Sequence, residues 1–265
     1  MWQLVLLVIL VFGVAFIYSN LGLGGGLLYV PILLSLAFTG EGAEDIAVPV
    51  SLTFTTATGL SATINHHRKG LVNFKLAGIL ITGALIGTVI GAFFNLNTPK
   101  QVFLAFFVTV IVIMGIKMLY DWRKNRESED EDDGSMMTKG RTLASANGTL
   151  ASGFLSGGLG IGGGLVNVPL LVYVLGRGTR KAIGTSSAMI VVTSIFGFFS
   201  YIWLKPSLEI DFDLIALLWP FVFVGAFVGS RWGLKKLKTR SVALIFILVM
   251  FIAAGKMAVD LILGV

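Results

Sequence analysis

The chain has 265 residues, 55% of them hydrophobic and only 13% charged, with a mean hydropathy of +0.90. Soluble domains carry about 25% charged residues, so the composition excludes an ordinary soluble globular protein and indicates one embedded in lipid. The net charge of +6 sits in clusters at the edges of apolar runs, which fits contact with anionic headgroups and excludes a nucleic-acid footprint.

Residues 1–40 carry no charge and lack the basic start of a cleaved secretory signal, so they read as embedded structure. As one helix they would reach about 60 Å, twice the ~30 Å hydrocarbon core. The stretch must therefore cross twice or re-enter, with its break at Gly22–Gly26. Residues 46–64, 76–98 and 101–116 follow as uncharged runs of spanning character. Residues 121–141 form the long polar stretch, with six acids between Glu127 and Asp133, and read as a solvated cytoplasmic linker. Residues 143–176 are again uncharged and broken by glycines at 157–158 and 160–164; residues 182–204 and 214–230 are further spans.

One motif occurs twice. Gly22-Leu23-Gly24-Gly25-Gly26-Leu27-Leu28-Tyr29-Val30-Pro31 returns as Gly160-Ile161-Gly162-Gly163-Gly164-Leu165-Val166-Asn167-Val168-Pro169. A duplicated, glycine-interrupted apolar segment is the best sequence pointer to a transporter's binding site. The register extends further, because Gly87 and Gly91 match Gly225 and Gly229, and Ser51 matches Ser186. Each half then holds two short segments around a glycine turn and three spans. Five segments is an odd number, so the second half is expected upside down relative to the first. The positive-inside rule agrees. With Arg68, Lys69 and Lys75 in the cytoplasm, 16 of the 20 lysines and arginines fall inside. Lys100 and Lys205 fall outside, and Lys117 and Lys256 fall within spans as snorkelling residues. A plain eight-helix reading would instead put the basic loops at 177–181 and 231–240 outside. The acids Glu41, Glu44 and Asp45 are expected in an outer loop, with Glu209, Asp211 and Asp213 on the same side. Trp122, Trp203 and Trp232 read as interface anchors.

The glycine turns supply the candidate chemistry. Gly24, Gly25, Gly26 and their counterparts Gly162, Gly163, Gly164 leave backbone N–H groups bare. The helix after each turn points the positive end of its dipole at the same place, which suits an anion. If the halves are inverted, the two tips converge near mid-membrane; the alternative is that the glycines serve only close packing. Tyr29 and Asn167, at equivalent positions after the turns, could add side-chain donors. The span 46–64 carries seven hydroxyls, and its counterpart carries Thr185, Ser186, Ser187, Thr193 and Ser194. Of these, Ser51, Thr55, Ser186 and Ser187 complete the expected anion-binding set. Neutral hydroxyls bind an oxyanion without trapping it, although hydroxyls in membrane helices often bond only their own carbonyls. Asn65, His66 and Arg68 form either an interfacial anchor or an anion-attracting vestibule. A dinucleotide fold is excluded, because no strand precedes the glycines. No cysteine is present and the two histidines are adjacent, so neither a disulfide framework nor a metal centre is expected. No acid lies deep in a span, which leaves cation coordination, proton relays and intramembrane hydrolysis without ligands.

The doubled motif, the Gly184-Thr185-Ser186 stretch and the Arg68-Lys69-Gly70-Leu71-Val72 element resemble the sulfite exporter TauE/SafE family over nearly the whole chain. That resemblance implies transport of sulfur-containing anions such as sulfite or organosulfonates. Two departures make the halves unequal. Pro49-Val50-Ser51 stands where the family's first half reads G-T-S, and residues 205–210 replace the second R-x-G-x-V element.

The expectation is an all-α polytopic transmembrane bundle of two inverted repeats, residues 1–120 and 142–265, around the linker 121–141. Its function is read as export of small oxyanions across the cytoplasmic (inner) membrane, without enzymatic activity or cofactor. An interior-negative potential favours anion exit by about 2.3 kcal/mol per charge per 100 mV. An anion-selective channel, and a non-transporting assembly or receptor protein, are the alternatives. The partners are the anion and membrane lipid, and the Gly-rich apolar faces are compatible with a homodimer.

Overall fold

The computed structural model describes residues 2–38, 40, 42–123 and 139–236, together with 248, 251–252, 254–259 and 261. Every regular element among them is helical. The helices are α1 (Trp2–Tyr18), α2 (Gly26–Leu36), α3 (Ala43–His67), α4 (Phe74–Leu96), α5 (Lys100–Arg123), α6 (Lys139–Leu159), α7 (Gly164–Val174), α8 (Thr179–Leu204) and α9 (Phe212–Lys236). Five are long and apolar enough to cross a membrane, namely α3, α4, α5 to Lys117, α8, and α9 to Trp232. They contain four of the five uncharged runs of the sequence, and α4 takes in residues 76–96 of the run 76–98. The acidic core of the linker, the charges Lys124, Arg126, Lys238 and Arg240, and most of the last expected span lie outside the described residues.

The two halves make matching contacts. Helix α3 packs against α8, α4 against α6 and α8, and α9 against α1 and α3. Contact register gives the directions. His66 meets Gly184 while Leu52 meets Gly197, so α3 and α8 are antiparallel. Ser61 Oγ donates to Phe223 O at 3.0 Å and Asn65 Nδ2 to Phe227 O at 3.0 Å, so α3 and α9 are parallel. The same argument makes α4 parallel to α6 and to α8, and α1 parallel to α9. Helices α1, α3 and α9 thus run one way, and α4, α6 and α8 run the other.

These directions sort the charges by end. Where α3 starts and α8 finishes, Lys205 pairs with Asp45 at 2.7 Å and Lys100 Nζ donates to Gly40 O at 3.2 Å. At the opposite end the turn with Arg68 and Lys69 meets the start of α8, which carries Arg180 and Lys181; α9 brings Arg231 there. Lys117 Nζ also reaches this end, 5.8 Å above the Tyr173 ring. Glu44 and Asp45 correct the sequence reading. They lie in the first turn of α3 rather than in a loop, where carboxylates complement the helix dipole.

Lipid tails are as apolar as leucine, so helix association in a bilayer depends on close packing. Glycine supplies it here. A methyl group on Gly153 or Gly157 would collide with Ala84 O or Thr88 O, and one on Gly87 or Gly91 with Leu150 O or Phe154 O. The backbones of α4 and α6 therefore touch directly. Gly225 and Gly229 do the same for α9 against Phe12 O and Phe16 O of α1. Outside this frame, Ile79, Ile86, Ile90 and Phe93 of α4 and Val102, Ile113 and Ile116 of α5 are exposed, as a lipid-facing surface requires. Trp203 and Trp232 are also exposed near helix ends, as interface anchors would be.

Candidate substrate site where the glycine turns meet

The paired short helices form two hairpins. Tyr29 meets Phe54 and Thr58 of α3 while Val30 lies near Val48, so α2 returns antiparallel to α3 and hence to α1. Gly148 faces Leu170 and Ser152 faces Gly163, so α7 folds back on α6. Both turns depend on left-handed backbone. Gly25 (φ 95°) caps α2 and Gly163 (φ 74°) caps α7, with Gly22, Gly24, Gly160 and Gly162 also at positive φ. Pro31 and Pro169 interrupt the helices that follow. Proline removes an N–H from the ladder, and after Pro169 the chain widens into a π turn over Leu170–Val174. Such turns recur at functional sites.

The two tips touch. A side chain on Gly26 would strike Gly160 O, and one on Gly164 would come within 2.5 Å of Gly22 O. The contact is fixed by two reciprocal hydrogen bonds. Ser51 Oγ donates to Gly160 O at 3.0 Å, and Ser186 Oγ donates to Gly22 O at 2.8 Å. Each serine thus leaves its own half to hold the other half's turn. Gly24 and Gly162 both pack against Thr55 and Ile190, which lie midway along α3 and α8.

The expected binding residues divide by what they do here. Gly24, Gly25, Gly26, Gly162, Gly163, Gly164, Ser51, Thr55 and Ser186 come together at the tips. The first intrahelical bonds reach Leu28 and Tyr29 in α2, and Val166 and Asn167 in α7. The N–H groups ahead of them precede the ladder, as at any helix start. Tyr29 OH lies 2.8 Å from Thr58 Oγ1, and Asn167 Oδ1 lies 2.6 Å from Ser152 Oγ. Ser187 Oγ donates to Ile183 O of its own helix at 2.9 Å. Asn65 and His66 are buried tie points. Asn65 Nδ2 bonds Phe227 O and Ser230 Oγ of α9, and His66 Nε2 lies 3.3 Å from Ser19 O beyond α1. Arg68 is exposed at the surface.

Three further groups were not singled out from sequence. Ser152 Oγ also lies 2.9 Å from Gly163 O and so braces the second turn. Ser156 and Ser194 are fully buried, and their hydroxyls lack a partner, as do Thr55 Oγ1 and Asn167 Nδ2. Burial of a serine inside an apolar helix was the available signal, but sequence cannot tell a self-bonded hydroxyl from an orphaned one.

A model of the family Sulfite exporter TauE/SafE matches residues 7–257. The chain is similar to a probable membrane transporter protein of Haemophilus influenzae, at 29% identity over 78% of each chain. It is also similar to the probable membrane transporter protein YunE of Bacillus subtilis, at 27% over 94% of each. The probable membrane transporter protein MJ0441 of Methanocaldococcus jannaschii is 30% identical over 74% of this chain and 72% of that one. No solved structure matches the chain. With helices long enough to cross lipid and the match running nearly end to end, the chain belongs to the Sulfite exporter TauE/SafE family and is a multi-pass membrane transporter of that type.

Proposed function

We propose that the protein carries small sulfur-containing oxyanions out of the cell across the cytoplasmic membrane, holding each anion where the glycine turns meet. The two halves, residues 1–120 and 142–265, act as inverted repeats joined by the linker 121–141. The end bearing Arg68, Lys69, Arg180, Lys181 and Arg231 faces the cytoplasm. The observation that carries this reading is the reciprocal tip contact, in which Ser51 holds Gly160 and Ser186 holds Gly22 beside the midpoints of α3 and α8.

Non-helical backbone at membrane depth is tolerated only where it is buried in protein or lines a cavity. Two such stretches placed against one another give a concentration of N–H donors and helix N-termini far from water, and both favour negative charge. Hydroxyls supplement them without a fixed cation, so the anion is held and still released. Moving the anion requires the tips to part, which breaks the two serine hydrogen bonds and the backbone contacts between them. The membrane potential then drives exit without a coupling ion.

The test is counterflow in proteoliposomes of the purified full chain. Radiolabelled sulfite should exchange against unlabelled sulfite and sulfonates inside, with saturable kinetics. Flux that does not saturate and shows no exchange would replace the carrier with a channel. Absence of flux across a panel of sulfur oxyanions and sulfonates would remove the substrate assignment.

A further inference from the structure

We propose that the seat is one-sided. It lies on the Gly162 side of the tip contact, takes a compact oxyanion, and uses Ser194 as a substrate-contacting hydroxyl beside Thr55. The proposal deepens the function proposed above and rests on it.

Comparing the halves position by position carries the argument. The register that pairs Ser51 with Ser186 also pairs Thr55 with Ile190 and Gly59 with Ser194. The register that pairs Gly22 with Gly160 pairs Tyr18 with Ser156 and Tyr29 with Asn167. The first half offers no free small polar group at three of these places and carries the hydroxyl, Thr55, at the fourth. Tyr18 and Tyr29 are large and wholly buried, Tyr29 OH engages Thr58, and Gly59 has no side chain to offer. The second half carries small polar groups instead. Ser194 Oγ lies 3.4 Å from the point where a side chain on Gly162 would begin, while the matching point on Gly24 has Ile161 O as its third neighbour after Thr55 and Ile190.

The hydroxyls of Ser194, Thr55 and Ser156 are fully buried and have no partner. Buried polar groups are nearly always hydrogen-bonded, so the orphaned hydroxyls of Ser194 and Thr55, both on side chains beside Gly162, mark where a partner arrives from outside the chain. Their chemistry selects an acceptor, because each hydroxyl can donate to an oxyanion oxygen without adding a countercharge. The walls select its size. The methyl groups of Thr55 and Ile190 leave no room for even one added carbon on Gly162 or Gly24, so the site suits sulfur with its oxygens rather than an aromatic ring.

The test compares wild type with Ser194→Ala, Thr193→Val and Tyr29→Phe as full chains in proteoliposomes, using radiolabelled sulfite counterflow with unlabelled 4-toluenesulfonate as competitor. Ser194→Ala is expected to raise KM for sulfite about tenfold, the loss of one hydrogen bond to an anion, with kcat kept within about twofold. Thr193→Val removes the adjacent buried hydroxyl, which bonds Met189 O of its own helix at 3.1 Å. It should leave KM unchanged, and Tyr29→Phe should raise KM less than Ser194→Ala does. The sulfonate should compete weakly throughout. If Ser194→Ala does not purify as a monodisperse protein, Ser194→Gly, which copies the first half's residue at this position, takes its place. A wild-type KM in the Ser194 variant, an equal or larger rise in Tyr29→Phe, or efficient competition by the aromatic sulfonate overturns the one-sided seat while leaving the proposed transport intact. Absence of sulfite exchange in wild type removes both.

Discussion

Replacing Gly26 by alanine tests the tip contact with a single carbon. Gly26 opens α2 and does not have the positive φ of Gly25. Alanine is therefore acceptable to the local backbone, and helix propensity alone would favour it by about 1 kcal/mol. The penalty comes entirely from across the joint. The added methyl would overlap Gly160 O and lie 2.7 Å from both Gly160 C and Ile161 Cα. Carbon contacts relax near 3.5–4.0 Å, so the tips must separate by roughly 1 Å or more. That movement stretches the 3.0 Å bond from Ser51 Oγ to Gly160 O beyond hydrogen-bonding range. Overpacking costs about 1–3 kcal/mol, and a hydrogen bond between membrane helices about 0.6 kcal/mol. After the propensity gain, the closed joint is weakened by about 0.6–2.6 kcal/mol, a range whose middle corresponds to a roughly tenfold change in its population. Sulfite counterflow should fall to about one-tenth of wild type, while the protein still inserts and elutes as a single species. Gly40→Ala separates collision from strain. Gly40 has φ 101° but nothing within 4 Å of an added carbon, so that variant carries the left-handed penalty of about 1–2 kcal/mol and should keep its flux. Wild-type flux in Gly26→Ala, or an equal loss in Gly40→Ala, would refute the reasoning.

Two further outcomes follow from the frame. Gly157→Ala places a methyl against Thr88 O and should destabilise the α4–α6 pair by about 1–3 kcal/mol, seen as earlier thermal loss of monodisperse protein. Gly78→Ala, in open space on α4, should not. The chain lacks cysteine, so single cysteines can report sidedness directly. Ser207→Cys at one exposed end should react with an impermeant maleimide in intact cells, and Lys69→Cys at the other only after permeabilisation; labelling of both from one side would contradict the proposed orientation.

Much of the fold was legible because its causes are local. Lipid demands long uncharged helices, so each run from 46–64 to 214–230 announced itself. The length of residues 1–40 forced a break, and the glycines gave its place. Helix α6 was harder to see, because Lys139–Leu159 is rich in glycine and hydroxyls and is not among the helices apolar enough to be read as a span by composition. Its glycines serve α4 rather than lipid. The roles of Ser51 and Ser186 were hidden for a different reason. Their recurrence was visible, but their acceptors lie 109 and 164 residues away in sequence. Asn65 and His66 show the same limit. Their polarity at a span end reads as either an interfacial anchor or an anion-attracting vestibule, and the partners they bond, on α9 and beyond α1, are far away in sequence.

What the two copies share and what they do not share answer to different physical demands. Where backbone meets backbone, as at Gly26 on Gly160 and Gly164 on Gly22, no side chain fits on either side, so both copies must be glycine. Where a serine reaches across to hold the opposite turn, both must again agree, or one bond is lost. These matches describe the joint. An anion has no two-fold symmetry in common with the protein, so nothing obliges the groups that grip it to occur twice. The unmatched pairs Tyr29 with Asn167, Tyr18 with Ser156 and Gly59 with Ser194 are accordingly where chemistry has room to differ. In a duplicated transporter, identity between the copies locates the hinge of the site. Disagreement between them shows where the two copies offer different side chains at the same joint.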